Sequence, residues 1–198
     1  MRKLVTSTFV TLDGIMQSPG APSEDDSGGF KSGGWLVPLF DDIVAQAMNE
    51  VFAKQPDLLL GRKTYEIMAA YWPQHDDEEP QMNSAKKYVA SRTLDRVDWN
   101  NSTLIKGDVV KEITRLKELD GPELQVHGSG NLIQTLLKHN LIDELHLLIF
   151  PVAIGHGKRL FGEGTNPSSF KLVASKASSS GVIIARYEQS GELKTGSL

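Results

Sequence analysis

The sequence predicts an α/β fold: a mostly parallel, mixed sheet with helices on both faces and an antiparallel hairpin at the C-terminal end. Three observations carry that prediction. Strand-like and helix-like segments alternate along most of the chain, which implies parallel strands joined by crossover helices. Two junctions read as strand, glycine turn, helix: Leu58-Leu59-Leu60-Gly61 ahead of a helical stretch, and Leu124 to Val126 ahead of Gly128-Ser129-Gly130 and another. The chain then closes with two alternating runs, Phe170 to Ala177 and Val182 to Gln189, joined by Ser178-Ser179-Ser180-Gly181. That pattern is a hairpin.

The elements follow in order. Lys3 to Leu12 is rich in Val, Thr and Phe and reads as a strand, ended by the turn signal Asp13-Gly14. Gln17 to Gly34 holds two prolines and five glycines, and reads as a long loop with little structure of its own. Loops of that length in a compact domain are functional lids or mobile surface segments. Asp41 to Phe52 places Ile43, Val44, Ala47, Met48 and Val51 at helical spacing, and Pro56 ends it. Asp57 to Gly61 is a buried strand, and a short helix runs from Gly61 through Ala70. Trp72 to Asn83 is polar and acidic with Pro73 and Pro80, and reads as loop. Lys86 to Ala90 and Ser102 to Ile105 are strands. Asp108 to Leu119 is a helix closed at Gly121-Pro122. After the second glycine turn, Leu132, Ile133, Leu136 and Leu137 share one helix face. Leu145 to Phe150 is a strand, 151–157 a connection and 158–162 a compact turn. One domain, 1–190, is expected, with 191–198 as a frayed tail.

Composition narrows the chemistry. At 198 residues the chain can bury a substantial core. It has no cysteine, which excludes disulfides, thiolate nucleophiles, iron–sulfur clusters and Cys-type zinc sites. A net charge of -4 gives no basic footprint for nucleic acid or an anionic membrane. No apolar run is long enough to span a bilayer. The N-terminus enters strand-like sequence without a signal-peptide pattern, so the expected compartment is the cytoplasm. The five histidines show no metal-ligand spacing, and no Gly-X-Ser-X-Gly elbow is present.

The candidate site residues fall at strand ends, where ligands bind in open α/β sheets. Gly128-Ser129-Gly130-Asn131 leaves free N–H groups at a helix start, which suits a pyrophosphate and equally a plain βα turn. Gly61-Arg62-Lys63-Thr64 adds two cations and a hydroxyl to a helix start, suited to a phosphate or simply solvated. Ser91 and Arg92 end another strand. Asp13 follows the first strand and either acts on a ligand or caps the amides of its own turn.

In this order, Thr11-Leu12-Asp13-Gly14, Leu60-Gly61-Arg62-Lys63-Thr64-Tyr65-Glu66, Val89-Ala90-Ser91-Arg92-Thr93, Val126-His127-Gly128-Ser129-Gly130 and the run Phe150 to Phe161 resemble the dihydrofolate reductase superfamily. The chain looks closest to single-domain relatives of the reductase domain of the riboflavin-pathway deaminase/reductase, over about residues 2–188. The resemblance implies a dihydrofolate-reductase-like three-layer αβα fold and NADPH as cofactor. Gly61, Arg62, Lys63 and Thr64 would bind the adenosine-side phosphates, and Ser91 and Arg92 the 2′-phosphate or adenine. Gly128, Ser129, Gly130, Asn131 and Leu132 would cradle the pyrophosphate. The family's glycine pair at this place often has a cis peptide, and here the pair is Gly128-Ser129. Asp13 would face the nicotinamide and orient substrate or relay a proton. Folate-reducing members hold the pterin with a carboxylate on the first helix, where Asp41 and Asp42 lie; neither is assigned that role. Loop 17–34 would take the place of the mobile substrate lid, with Trp35 as an aromatic wall or core residue. The activity implied is hydride transfer from NADPH to a small heterocycle such as a ribosylamino-pyrimidine. The alternative is a non-catalytic nucleotide- or flavin-binding module on the same fold. A homodimer is expected, because the terminal hairpin offers a sheet edge that needs cover.

Overall fold

A computed structural model describes residues 1–197; Leu198, the end of the expected frayed tail, lies outside the described residues. The strands are β1 (Leu4–Thr11), β2 (Asp57–Gly61), β3 (Lys87–Ala90), β4 (Ser102–Ile105), β5 (Leu124–Gly128), β6 (Glu144–Phe150), β7 (Ser169–Ala177) and β8 (Ile183–Gly191). The helices are α1 (Asp42–Phe52), α2 (Arg62–Tyr71), α3 (Pro80–Ser84), α4 (Val109–Glu118) and α5 (Gly130–Lys138). The strands form one sheet in the order β4-β3-β2-β5-β1-β6-β8-β7. Pairing is parallel from β4 to β6 and antiparallel from β6 through β8 to β7.

β2 and β6 are largely apolar runs because both faces of the sheet are covered. β2 shows how one strand serves two layers. Leu59 points into a cluster with Ile113 and Leu116 of α4 and Leu132, Ile133 and Leu136 of α5. Leu58 and Leu60 point the other way, to Phe52 of α1 and Tyr65 of α2. This is the period of two that a pleated strand imposes. A third cluster sets Val44 of α1 against Leu148 and Phe150 of β6 and Val182. Phe150 is fully buried, with Phe9 edge-on at 5.9 Å and Trp35 edge-on at 5.4 Å between ring centroids. Trp35 thus packs, partly buried, against this cluster.

Buried charge is matched locally. The Arg2 guanidinium pairs with Asp57 and donates through Nε to the Pro122 carbonyl at 2.6 Å, tying the chain start to β2 and β5. Lys87 is fully buried, and its ammonium donates to the carbonyls of Asn83, Ala85 and Asn100 at 2.8–3.1 Å. Burial pulls its pKa down to about 8.

One segment departs from the sequence reading. Trp72 to Asn83 is not a bare loop: a 3-10 turn spans Trp72–Gln74 and α3 occupies Pro80–Ser84. Both carry proline in the first turn, where its fixed φ suits a helix start and its missing N–H has no partner to lose. The segment closes on Asn83, whose amide donates to the Trp72 carbonyl and accepts from the Trp99 indole. Among the described residues, no helix is long and apolar enough to cross a membrane.

Removing the Phe150 ring should leave a cavity under α1. Phe150→Ala is expected to cost about 3–5 kcal/mol of unfolding free energy in urea denaturation. A loss under ~1 kcal/mol would contradict this packing account.

Candidate functional site

The carboxyl ends of β2 and β5 are neighbours, with Leu60 opposite Gly128 after a shift in register. Each strand runs straight into a helix, so the N-termini of α2 and α5 emerge side by side. These two helix starts differ from those of α1 and α4. α1 is capped by Asp41, whose carboxylate accepts from the Val44 amide at 3.0 Å, and α4 by Asp108, which accepts from Lys111 at 3.1 Å. α2 begins at Gly61 and α5 at Ser129, with no side-chain cap and no acidic residue in the first turn. The first-turn N–H groups of a helix have no intrahelical acceptor, so here they are left for something else. The positive ends of the two dipoles add to the attraction for an anion.

The two turns lock into each other. A Cβ at Gly61 would overlap the Ser129 hydroxyl and lie 2.8 Å from the Ser129 amide nitrogen. A Cβ at Gly128 would lie 2.5 Å from Thr64 Oγ1. Each unit therefore supplies a glycine to receive the other unit's hydroxyl side chain. The Gly128-Ser129 peptide is cis. The structure thus brings together Gly61 to Thr64 and Gly128 to Leu132.

Their side chains have separate fates. Arg62 pairs with Glu66 at 3.0 Å along the helix. Lys63 is exposed and has no ion-pair partner among the described residues. Leu132 is buried in the apolar core, so only its backbone N–H faces the turn. Asn131 is exposed beside it. Ser91 and Arg92 lie one strand further, after β3, where Ala90 pairs with Gly61. The Ser91 hydroxyl accepts from the amides of Thr93 and Leu94 at 3.2 and 3.0 Å, so it shapes the turn, while Arg92 is exposed.

Asp13 sits on the same edge but is engaged within the protein. Its carboxylate accepts from the Thr11 hydroxyl at 2.5 Å and from the amides of Ile154 and Gly155 at 3.2 and 2.7 Å. The Thr11 hydroxyl and then these amides, against some burial, draw its pKa down to about 2. A carboxyl that stays ionised near neutrality is an acceptor of protons and hydrogen bonds rather than a proton donor. Nor does it cap Gly14 or Ile15: the Ile15 amide goes to Thr11 Oγ1 at 2.9 Å. Asp13 clamps the connection after β6 to the end of β1. Arg159 reinforces the clamp by donating to the carbonyls of Asp13 and Gly155.

Loop 17–34 is more ordered than its composition implies. Gln17 is buried, and its amide donates to the carbonyls of Asp25 and Ser27 and accepts from the Lys158 amide at 3.0 Å. Lys158 Nζ reaches Asp25 at 2.5 Å and Ser27 at 2.7 Å. Phe30 is buried against Gly157 and His156. A short 3-10 turn lies at Ser27–Gly29. The loop is stitched to residues 156–158, and Met16 at its root lays its sulfur 3.6 Å from where a Gly130 side chain would begin. Gln17, Lys158 and Arg159 were not singled out by sequence reasoning, since the contacts that join loop 17–34 and Asp13 to residues 158–159 span more than a hundred residues.

A parallel sheet with a C-terminal antiparallel pair, and two helix starts meeting at its carboxyl edge, define the dihydrofolate-reductase-like class of α/β proteins. The profile of the RibD C-terminal domain matches residues 2–184, and the chain belongs to that family. It is 30% identical over 196 residues to the uncharacterized protein YyaP of Bacillus subtilis (strain 168), covering 96% of each chain. A putative riboflavin biosynthesis protein from Shewanella sp. PV-4 superposes with a TM-score of 0.74 at 25% identity, over 95% of this chain and 99% of that one. The dihydrofolate reductase from Enterococcus faecalis complexed with NADP(H) and RAB-propyl superposes with a TM-score of 0.58 at 12% identity, over 97% of each, and shares the fold.

Two outcomes test this geometry. Gly61→Ala should cost about 1–3 kcal/mol in urea denaturation through overpacking, and adding Ser129→Gly should recover part of it. Strict additivity of the two losses would contradict the interlock. Asp13 has a folded pKa below its ordinary value of 3.8, so its stabilisation is present above 3.8 and lost as pH falls toward about 2. The stability gap between wild type and Asp13→Asn should be constant above that window and shrink within it; parallel acid profiles would contradict the clamp.

Proposed function

We propose that the protein is an NADPH-dependent reductase of a small nitrogen heterocycle. One observation carries the reading: two uncapped helix N-termini held side by side by the Gly61–Ser129 and Gly128–Thr64 interlock. A dinucleotide pyrophosphate matches such a cradle in charge and in hydrogen-bonding capacity. When bound, NADPH supplies a hydride to an unsaturated bond of the substrate. The chain's own residues bind, orient and exclude water. The amides of Lys63 and Thr64 on one side and of Asn131 and Leu132 on the other hold the phosphates. The exposed cations of Lys63 and Arg92 would meet the 2′-phosphate, whereas Arg62 is steadied by Glu66. The face beneath α1, with Phe9, Phe150 and Trp35, provides an apolar wall that favours hydride over water. Asp13 holds the 151–157 connection at the mouth, and the substrate's proton comes from solvent.

The names of the structural relatives support the class, one a riboflavin biosynthesis protein and one a reductase with NADP(H) bound. A pyrimidine carrying amino groups fits the first of these, and the pocket would then take an uncharged ring.

We also propose a homodimer through β7 and β8. β7 is a sheet edge, residues 171–177 are exposed, and Leu172, Val173 and Ile183 present large apolar side chains there. Open apolar edges are covered in stable proteins, and a second copy offers the same patch by two-fold symmetry.

Fluorescence titration tests the cofactor reading. NADPH should bind, NADH more weakly, and Lys63→Ala or Arg92→Ala should weaken NADPH roughly tenfold while sparing NADH. Absence of NADPH binding at millimolar concentration overturns the reading. NADPH binding without oxidation by any pyrimidine, pterin or folate substrate points instead to a nucleotide-binding module. Gel filtration should give twice the chain mass, and a monomer at micromolar concentration contradicts the dimer.

A further inference from the structure

Loop 17–34 is built as one piece. Its neck is closed by the Gly34 amide, which donates to the Ser18 carbonyl at 2.9 Å, and by the Trp35 indole, which donates to the Gln17 carbonyl at 2.8 Å. Ser18 and Gly34 both sit in the left-handed region, at φ of 50° and 79°. Inside the loop, the Ser18 hydroxyl donates to the Ala21 carbonyl at 2.8 Å and accepts from the Asp25 amide at 3.1 Å. The Glu24 carboxylate accepts from the Gly20 amide at 2.8 Å. The two arms touch, since a Cβ at Gly33 would lie 2.7 Å from the Ala21 carbonyl oxygen. A surface loop with joined ends, filled by its own groups, is an Ω-loop.

The attachment of this loop to the rest of the protein is of another kind. Among the described residues, the backbone–backbone bond from 19–33 to the chain beyond the loop is that of the Leu36 amide to the Pro19 carbonyl, at the neck. The other ties are made by side chains, and they converge on Asp25, Ser27 and Phe30. Gln17 donates through Nε2 to the carbonyls of Asp25 and Ser27 at 3.0 and 2.9 Å. Lys158 Nζ donates to the Asp25 carboxylate and the Ser27 hydroxyl. Phe30 fills a notch that Gly157 leaves open, where a Cβ would lie 2.9 Å from the ring. The body is held by its own chain and the latch by a few side chains, so the latch can part while the body stays folded. The neck stands between the two halves of the proposed cleft. Met16 just before it lies against the start of α5, and Trp35 just after it packs on Phe150.

We propose that loop 17–34 is a rigid flap that swings about Ser18 and Gly34 and is held shut by Lys158, Gln17 and Phe30, so that parting of this latch sets how fast a ligand enters and leaves the carboxyl edge. The gating rests on the reductase reading of that edge; the flap and its latch do not. The hydrogen bonds of the latch go to the flap and not to the open amides of α2 and α5. Weakening the latch therefore favours the open state equally with and without ligand. A change that does not discriminate between the free and bound protein alters rates in both directions and leaves affinity where it was.

The test uses the full chain with NADPH as the ligand, Lys158→Ala as the broken latch and Lys158→Arg as the conservative replacement. By stopped-flow fluorescence, Lys158→Ala should raise the NADPH association and dissociation rates together, each about fivefold, with Kd held within about twofold and Lys158→Arg close to wild type. By amide hydrogen exchange, Asp25 and Gly34, which are bonded inside the flap, should keep wild-type protection in Lys158→Ala, with β1 as the control for folding. If those two amides lose protection while β1 keeps it, the loop unfolds instead of swinging and the inference falls. If NADPH binds but its rates are unchanged, or Kd moves in place of the paired rates, the gating falls and the reductase reading stands. Failure of wild type to bind NADPH overturns the reductase reading and the gating with it.

Discussion

The rest of the site depends on one steric arrangement: Ser129 seated over Gly61 while Thr64 seats over Gly128. Neither glycine can carry a side chain without moving the opposing turn. The contact fixes the separation of the two helix starts, so their free amides converge on one volume. It also joins β2 to β5 at the point where the register shifts. The remaining features of the carboxyl edge are arranged around this pair. Ser91 and Arg92 extend it on one side. The Asp13–Arg159 clamp and the stitched loop 17–34 bound it on the other.

The treatment of helix ends shows the same division of labour. At α1 and α4 an aspartate closes the helix start, and at the short α3 a proline occupies the first turn. At α2 and α5 no side chain caps the helix, and the open amides are the groups the proposed function uses. A capping residue gives up roughly 0.5–2 kcal/mol when removed, so leaving two adjacent helices uncapped is a real cost in stability. An anionic ligand offsets that cost only when bound, which couples occupancy to the rigidity of the edge.

Much of the fold was legible because it rests on local periodicity. Leu58-Leu59-Leu60 announces a strand covered on both faces, and Leu132, Ile133, Leu136 and Leu137 announce a helix with one buried stripe. The glycine turns were visible as turns, but their mutual insertion was not, since nothing in the sequence relates Gly61 to Ser129. Asp13 was visible as a carboxylate at a strand end. Its direction was not, because the amides that capture it belong to Ile154 and Gly155. Loop 17–34 read as unstructured since its order comes from one buried glutamine bonding across the loop and one lysine reaching in from position 158. α3 was hidden by Pro80, which reads as a breaker in sequence and serves as a helix start in place.

The central claim is that the α2 and α5 helix starts together receive the cofactor's phosphates. Mapping backbone amide shifts on titration with NADPH tests it most directly. The account predicts the largest changes at Lys63, Thr64, Asn131 and Leu132, with the capped starts of α1 and α4 unmoved. Large shifts confined to one of the two open helices, or centred on α1 or α4, would contradict it.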